Sequence, residues 1–114
     1  MKLLTEALKK QLPALYSQQN EPDPLVICKF FHPMSSMTWY AIEGSPVDED
    51  GYFDTDKEKV DYLFFGWVSS DFPELGYFSL NEMQQLKVAG LGMERDLHFT
   101  PKKLSEVKQE HGLS

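Results

Sequence analysis

Cysteine is nearly absent: Cys28 is the only one in 114 residues, so no disulfide can form within the chain. It lies in an apolar run and reads as a small buried hydrophobe, not a reactive thiol. A chain without disulfides fits a reducing compartment, and the expected location is the cytoplasm. Long apolar runs are missing as well. None approaches the roughly 18–20 residues that span a bilayer, so no membrane association is expected. The first ten residues, Met-Lys-Leu-Leu-Thr-Glu-Ala-Leu-Lys-Lys, have no apolar h-region or small-residue cleavage site, and no secretory signal is read there. The three histidines, His32, His98 and His111, form no His-x-x-x-His or Glu-x-x-His pair, so no metal site is written in local spacing. They read as surface or sheet-rim residues. No Gly-x-Ser-x-Gly elbow and no phosphate-binding glycine loop is present, and no cofactor is implied.

Positive charge is scarce too. Eleven Lys and Arg face eighteen Asp and Glu, for a net charge of −7. The imbalance is local: residues 43–61 hold eight acids against Lys57 and Lys59, whereas residues 1–42 are close to neutral. A phosphate-backbone binder normally presents a basic face, so charge weighs against direct nucleic-acid binding. Lys87, Arg95, Lys102 and Lys103 are the source of any local basic patch.

Aromatic residues, by contrast, are plentiful and concentrated. Seven of the fifteen lie in the stretch Asp61 to Leu80. From Val60 to Val68 both alternating faces are apolar, with Val60, Tyr62, Phe64 and Val68 on one and Leu63, Phe65 and Trp67 on the other. A half-exposed strand would alternate with polar residues, so this run reads as a strand covered on both sides, at the centre of a sheet. Gly66 within it permits a bulge or a close backbone approach. Upstream, Thr5 caps a short helix with an apolar stripe at Leu4, Leu8 and Leu12, ended by Pro13. Leu25–His32 and Thr38–Glu43 are strands close enough to pair, the second closed by Gly44-Ser-Pro46. Leu75–Phe78 is a short strand. Ser79-Leu-Asn-Glu82 fits a capping box, predicting a helix from about 80 to 88 with Gly90 as its stop. Arg95–Thr100 reads as a last strand with Leu97 and Phe99 inward, and Leu104–His111 as a short terminal helix. The sum is a single α+β domain over residues 1–114: a mainly antiparallel sheet of four to five strands with three short helices.

The segments Lys29-Phe-Phe-His-Pro33, Thr38-Trp-Tyr-Ala-Ile-Glu-Gly44, Phe64-Phe-Gly66, Glu74-Leu-Gly-Tyr-Phe-Ser-Leu80 and Glu94-Arg-Asp96 with Phe99 occur in a specific order. In them the chain resembles, over nearly its whole length, a bacterial family catalogued as domain of unknown function 2958. The resemblance implies a small cytoplasmic bacterial domain. It also implies a setting in which relatives often lie on plasmids, integrative elements or phages, sometimes near or fused to DNA-processing modules. It carries no catalytic residues over.

Several groups are candidates for chemistry. Placing Gly51 at the sixth position of a calcium loop puts Pro46 at the first and Lys57 at the twelfth, so the first ligand and the bidentate glutamate are both missing. The run Asp48–Lys59 therefore reads as a solvated acidic loop. Glu43, Asp61 and the run Glu94-Arg95-Asp96 could meet at the sheet's rim, where paired carboxylates divide acid and base roles; the structural alternative is that Arg95 ties one of them into an ion pair. Trp39, Tyr40 and Tyr77 are candidate aromatic contacts if exposed, and core residues otherwise. Three functional readings follow. The first is a non-enzymatic protein-binding or accessory module of a plasmid, phage or integrative element, with another protein as partner. The second is an enzyme with a carboxylate/arginine site acting on a nucleotide or nucleic acid. The third is an acidic DNA mimic of the anti-restriction kind.

Overall fold

The protein is described over residues 1–113 by a computed structural model. In chain order the elements are α1 (Glu6–Gln11), β1 (Leu25–Val26), β2 (Cys28–Phe31), β3 (Thr38–Val47), β4 (Asp61–Ser69), β5 (Glu74–Ser79), α2 (Leu80–Gln85), β6 (Lys87–Val88), β7 (Leu91–Gly92), β8 (Glu94–Arg95), β9 (Lys102–Lys103) and α3 (Leu104–Glu110). Five strands form one antiparallel sheet in the order β5-β4-β3-β2-β8, while β1 pairs with β9 and β6 with β7. The domain is α+β, with short helices near both ends. No helix among the described residues is long and apolar enough to cross a membrane.

The aromatic run is β4, paired on both edges, but the central position belongs to β3. The sequence reading ends β3 at Glu43 because Gly44-Ser-Pro46 resembles a terminator. The strand instead continues to Val47, matching Pro46 to Tyr62. Proline is tolerated there because beyond Ala41 β3 has no β2 partner. Gly44 already directs its N–H to the open side, onto Pro13 O at 2.9 Å, and Pro46 two residues on faces the same way.

Residues opposite one another across a sheet share a face, which separates two cores. Phe30, Ala41, Tyr62, Phe64 and Phe78 pack with Leu3, Leu4 and Leu12 of the N-terminal segment and with Met83 of α2. Tyr40, Ile42 and Trp67 pack on the other side with Val26 and with Leu104 and Val107 of α3. The two-sided burial expected of the aromatic run is present at Tyr62, Phe64 and Trp67, although Leu63 and Phe65 are only half-buried and Val60 is exposed.

One irregularity sets the rest. Ala41 pairs with Gly66 and Glu43 with Phe65, so Ile42 is an extra residue in β3, a β-bulge. Without it Glu43 would share the face of Ala41 and point into the first apolar core. With it, Ile42 and Glu43 both turn to the second face. The bulge brings the β3 backbone down onto β4: a Cβ at position 66 would overlap the Tyr40 carbonyl oxygen and stand 2.8 Å from its carbonyl carbon. Glycine is required at that point.

Thr5 caps α1 as expected, its Oγ1 accepting from Leu8 N at 3.2 Å, and Ser79 Oγ accepts from Glu82 N at 3.1 Å at the start of α2. The expected helix over 80–88 stops at Gln85. Lys87–Val88 turns back on Leu91–Gly92 through Ala89 and Gly90, both with positive φ (53° and 80°), the geometry of a tight two-residue hairpin. Gly90 thus serves a turn, not a helix stop. The last strand is shorter than expected as well. Asp96 N still bonds Lys29 O, but the Asp96 carboxylate then accepts from His98 N at 2.9 Å and breaks the extension. Leu97 is consequently 64% exposed instead of inward, whereas Phe99 packs against Tyr40.

Gly66→Ala is expected to cost at least ~3 kcal/mol, the upper end for inserting a methyl into packed structure, because the obstacle is backbone. Gly76→Ala is the control: its added Cβ meets nothing within 4 Å. Urea denaturation of the two variants beside the parent should separate them, and equal midpoints would contradict the account.

Candidate functional site

The bulge delivers Glu43 to a segment that has no regular structure of its own. The carboxylate is 3% exposed, and it accepts from Tyr16 N at Oε1 (2.9 Å) and from Gln18 N at Oε2 (2.7 Å). Ser45 Oγ accepts from Leu15 N at 3.0 Å, and Gly44 donates to Pro13 O. Three consecutive β3 residues therefore hold residues 13–18 by backbone contacts, with Tyr16 in a left-handed conformation (φ 71°). Backbone N–H groups in an irregular buried segment need acceptors, and Glu43 supplies two at once.

The held segment, β3–β5 and α3 enclose a cleft of about 390 Å³. Its floor is Ile42, Glu43 and Phe65, one wall is Leu75 and Tyr77 of β5, and Leu104 and Lys108 of α3 stand opposite. The start of α3 is fixed by the same loop: Pro24 O accepts from Leu104 N at 2.9 Å, and Asp23 accepts from Ser105 N (2.9 Å) and Ser105 Oγ (2.6 Å). Those bonds from Ser105 hold the Asp23 carboxyl below its ordinary pKa. Burial, then the Tyr16 phenol and the Glu43 carboxylate, push the Tyr77 phenol above its ordinary value. Tyr77 is nonetheless 51% exposed and Leu75 50%.

The candidate rim residues do not converge. Arg95 pairs with Phe30 two strands from Glu43, and Asp61 pairs with Val47 at the far end of β3. By strand rise and spacing each stands roughly 15 Å from Glu43. Asp61 Oδ1 accepts from Tyr62 N (2.7 Å) and from Asn81 N (3.0 Å), joining β4 to the first turn of α2. Asp96 pairs with Lys29 at 3.8 Å. Glu94 and Arg95 make no ion pair among the described residues, and Arg95 Nε is buried without an acceptor. Of the candidate aromatic contacts, Tyr77 is exposed, Trp39 is half-buried against the first core, and Tyr40 is 1% exposed. Burial pushes the Tyr40 phenol up to about 12, followed by the charges of Glu110 and Asp96. Cys28 is likewise pushed up to about 12 by burial, which keeps it a thiol.

Four residues have roles that sequence reasoning did not assign. His111 bonds Tyr40 OH through Nε2 (2.6 Å) and Ser69 Oγ through Nδ1 (3.1 Å), pinning the end of α3 to the sheet. His32, read as a rim residue, is buried; Nδ1 accepts from Met34 N (3.0 Å) and Nε2 donates to Leu91 O (2.8 Å). Tyr16 joins the cleft only through its loop. Asp48 is not solvated with the rest of the acidic segment: it is buried and accepts from Asp50 N, Tyr52 N and Thr55 Oγ1. Those bonds, Thr55 foremost, lower its pKa from 3.8 against the opposing effect of burial. The loop closes where Val60 N meets Val47 O at 2.9 Å. Spacing between Asp48 and Gly51 was the one signal in the sequence for such a self-bonded turn. Among the described residues no three His, Cys, Asp or Glu side chains are grouped to hold a metal ion.

The model of the family described as "Protein of unknown function (DUF2958)" matches residues 3–110. The chain belongs to the DUF2958 family. No curated protein and no solved structure matches it. The match covers β1 to β9 and the cleft entire, so this DUF2958 fold and its clamp at Glu43 lie inside the family's boundaries.

Glu43→Gln in this DUF2958 protein leaves one acceptor for two N–H donors and turns an amide NH₂ toward the other. The expected loss is about 1.5–3 kcal/mol, with faster amide exchange at Tyr16 and Gln18; unchanged exchange there would refute the clamp. Asp48→Asn tests the acidic loop by pH. A carboxyl whose folded pKa lies below 3.8 stabilises above that pH and loses the contribution as pH falls through the lowered value. The melting temperature of the variant should fall short of the parent's at pH 7, and the gap should narrow by pH 3. A gap independent of pH would exclude this role.

Proposed function

We propose that this DUF2958 protein is a non-enzymatic protein-binding module that seats an extended segment of a partner along β5 and in the adjoining cleft. One observation carries the reading: the sheet's edge strand holds half-exposed Leu75 and Tyr77 over a concave floor of Ile42, Phe65 and the buried Glu43, with Phe72 85% exposed just before it. Exposed apolar side chains gathered at a concavity mark interaction surfaces, and an open strand edge offers a row of backbone donors and acceptors to an extended chain. Alternate side chains of that chain would enter the cleft while its backbone pairs with β5. The setting implied by the sequence resemblance, plasmids, phages and integrative elements, fits an accessory module of this kind.

The enzymatic reading draws its support from a meeting of Glu43, Asp61 and Arg95, which the geometry does not supply. The DNA-mimic reading draws on an extended acidic surface, and here the one dense run of acids lies on a short closed loop. Selection of displayed random dodecapeptides on the wild-type protein tests the proposal. Selected peptides should bind Tyr77→Ala and Leu75→Ser at least tenfold more weakly, with both variants still folded. Undiminished binding to the folded variants would overturn it.

A further inference from the structure

Elsewhere on this protein aromatic rings are capped by the chain's own lysines: Lys9 over Tyr62 (6.0 Å), Lys29 over Tyr40 (5.7 Å) and Lys102 over Phe99 (5.3 Å). The rings of the cleft have no such cation among the described residues. They form a connected series at its mouth. Phe53 meets Tyr16 at 5.8 Å between centroids, Tyr16 meets Tyr77 edge-on at 6.5 Å, and Tyr77 meets Phe65 at 5.0 Å. Their planes are inclined by 45°, 62° and 59°, so they make a corner and not a stack. The face of an aromatic ring is the negative pole of its quadrupole and attracts a cation.

The charge around this corner has the same sign preference. Glu21 lies in the wall and Glu43 in the floor, the latter buried and bonded to Tyr16 N and Gln18 N so that it contributes its charge but no free oxygen, against Lys108 as the one base lining the cleft. Phe53 brings the acidic loop alongside. Within that loop Asp50 is paired with Lys57 and Asp48 is spent on backbone, but Glu49, Asp54, Asp56 and Glu58 are exposed and carry no ion pair among the described residues. A negative field beside a low-dielectric concavity concentrates positively charged partners and repels phosphate.

We propose that the cleft receives an arginine or lysine side chain presented by a basic, extended segment of a protein partner, its cationic head against Tyr16, Phe65 and Tyr77. This rests on the docking reading above and adds the charge of the occupant. Neutral apolar segments would gain the contact area but nothing from the carboxylates, and acidic or phosphorylated ones would be repelled.

The test uses two probes of the same shape, N-acetyl-arginine methylamide and its uncharged isostere N-acetyl-citrulline methylamide, titrated into the full chain and followed by NMR at the Tyr16, Phe65 and Tyr77 rings. The arginine probe should shift those resonances and bind at least fivefold more tightly than the citrulline probe. Its advantage should shrink in folded Tyr77→Leu, which keeps an apolar side chain without a π face, and in Glu21→Gln, and it should decline as salt is raised. Equal affinities would overturn the charge assignment while leaving peptide docking intact. Absence of any shift at the three rings would overturn it too, and the peptide selection then decides the docking reading separately. An advantage fully retained in Tyr77→Leu would exclude the aromatic corner as its seat.

Discussion

The contact between Gly66 and the Tyr40 carbonyl is the constraint from which the working surface of this protein descends. Two central strands can approach that closely only where one lacks a side chain, and the approach is what accommodates an extra residue at Ile42. The extra residue reverses the alternation of β3 from that point on. A glutamate that a regular strand would aim into an apolar core is turned to the other face. Burying a carboxylate there without partners would be prohibitive. Instead it accepts two backbone N–H groups and fixes a loop that would otherwise have to satisfy them with water. The loop in turn sets one side of the cleft and, through Asp23 and Pro24, the start of the helix that sets the other.

Carboxylates behave alike across the molecule. Glu43, Asp48, Asp61 and Asp23 each accept from backbone N–H groups at places where the chain leaves regular structure. In a chain with eleven bases to eighteen acids, one-to-one ion pairs leave at least seven acids without a base. The backbone, which always has donors left over at loops and helix starts, takes their place. The densest run of exposed acids, Glu49, Asp50, Asp54, Asp56 and Glu58, lies on one loop beside the aromatic cleft, so a local concentration of negative charge is next to the surface suited to a partner.

The main strands β2 to β5, the helix starts and the possibility of a bulge or close approach at Gly66 were legible because each is a local matter. Alternation, a Ser three residues before Glu, or a glycine inside an apolar run reports on its own neighbourhood. The misreadings were of a different kind. Gly44-Ser-Pro46 looked like a terminator because the sequence does not tell that β3 has a free side there. Gly90 looked like a helix stop because Ala89 gave no sign that it would join it at positive φ. Leu97 looked inward because alternation does not report the Asp96 carboxylate, which takes the His98 N–H from the strand. In the candidate site Tyr77 and Glu43 were legible as residue types worth watching, whereas Tyr16 was not, and nor were Ser69 and His111, which meet at the end of α3, since their partners lie 27 to 71 residues away.

By itself the sequence determined an α+β domain with an aromatic interior strand, a capped helix after it and no local catalytic or metal-binding spacing. These follow from periodicity and short-range hydrogen bonding, which act over a few residues. Tertiary structure alone decided what the carboxylates do, which aromatics stay in contact with water and that a cleft exists at all. A one-residue bulge inverts the side-chain facing of half a strand, and no residue within that strand records it; only the glycine across the sheet does.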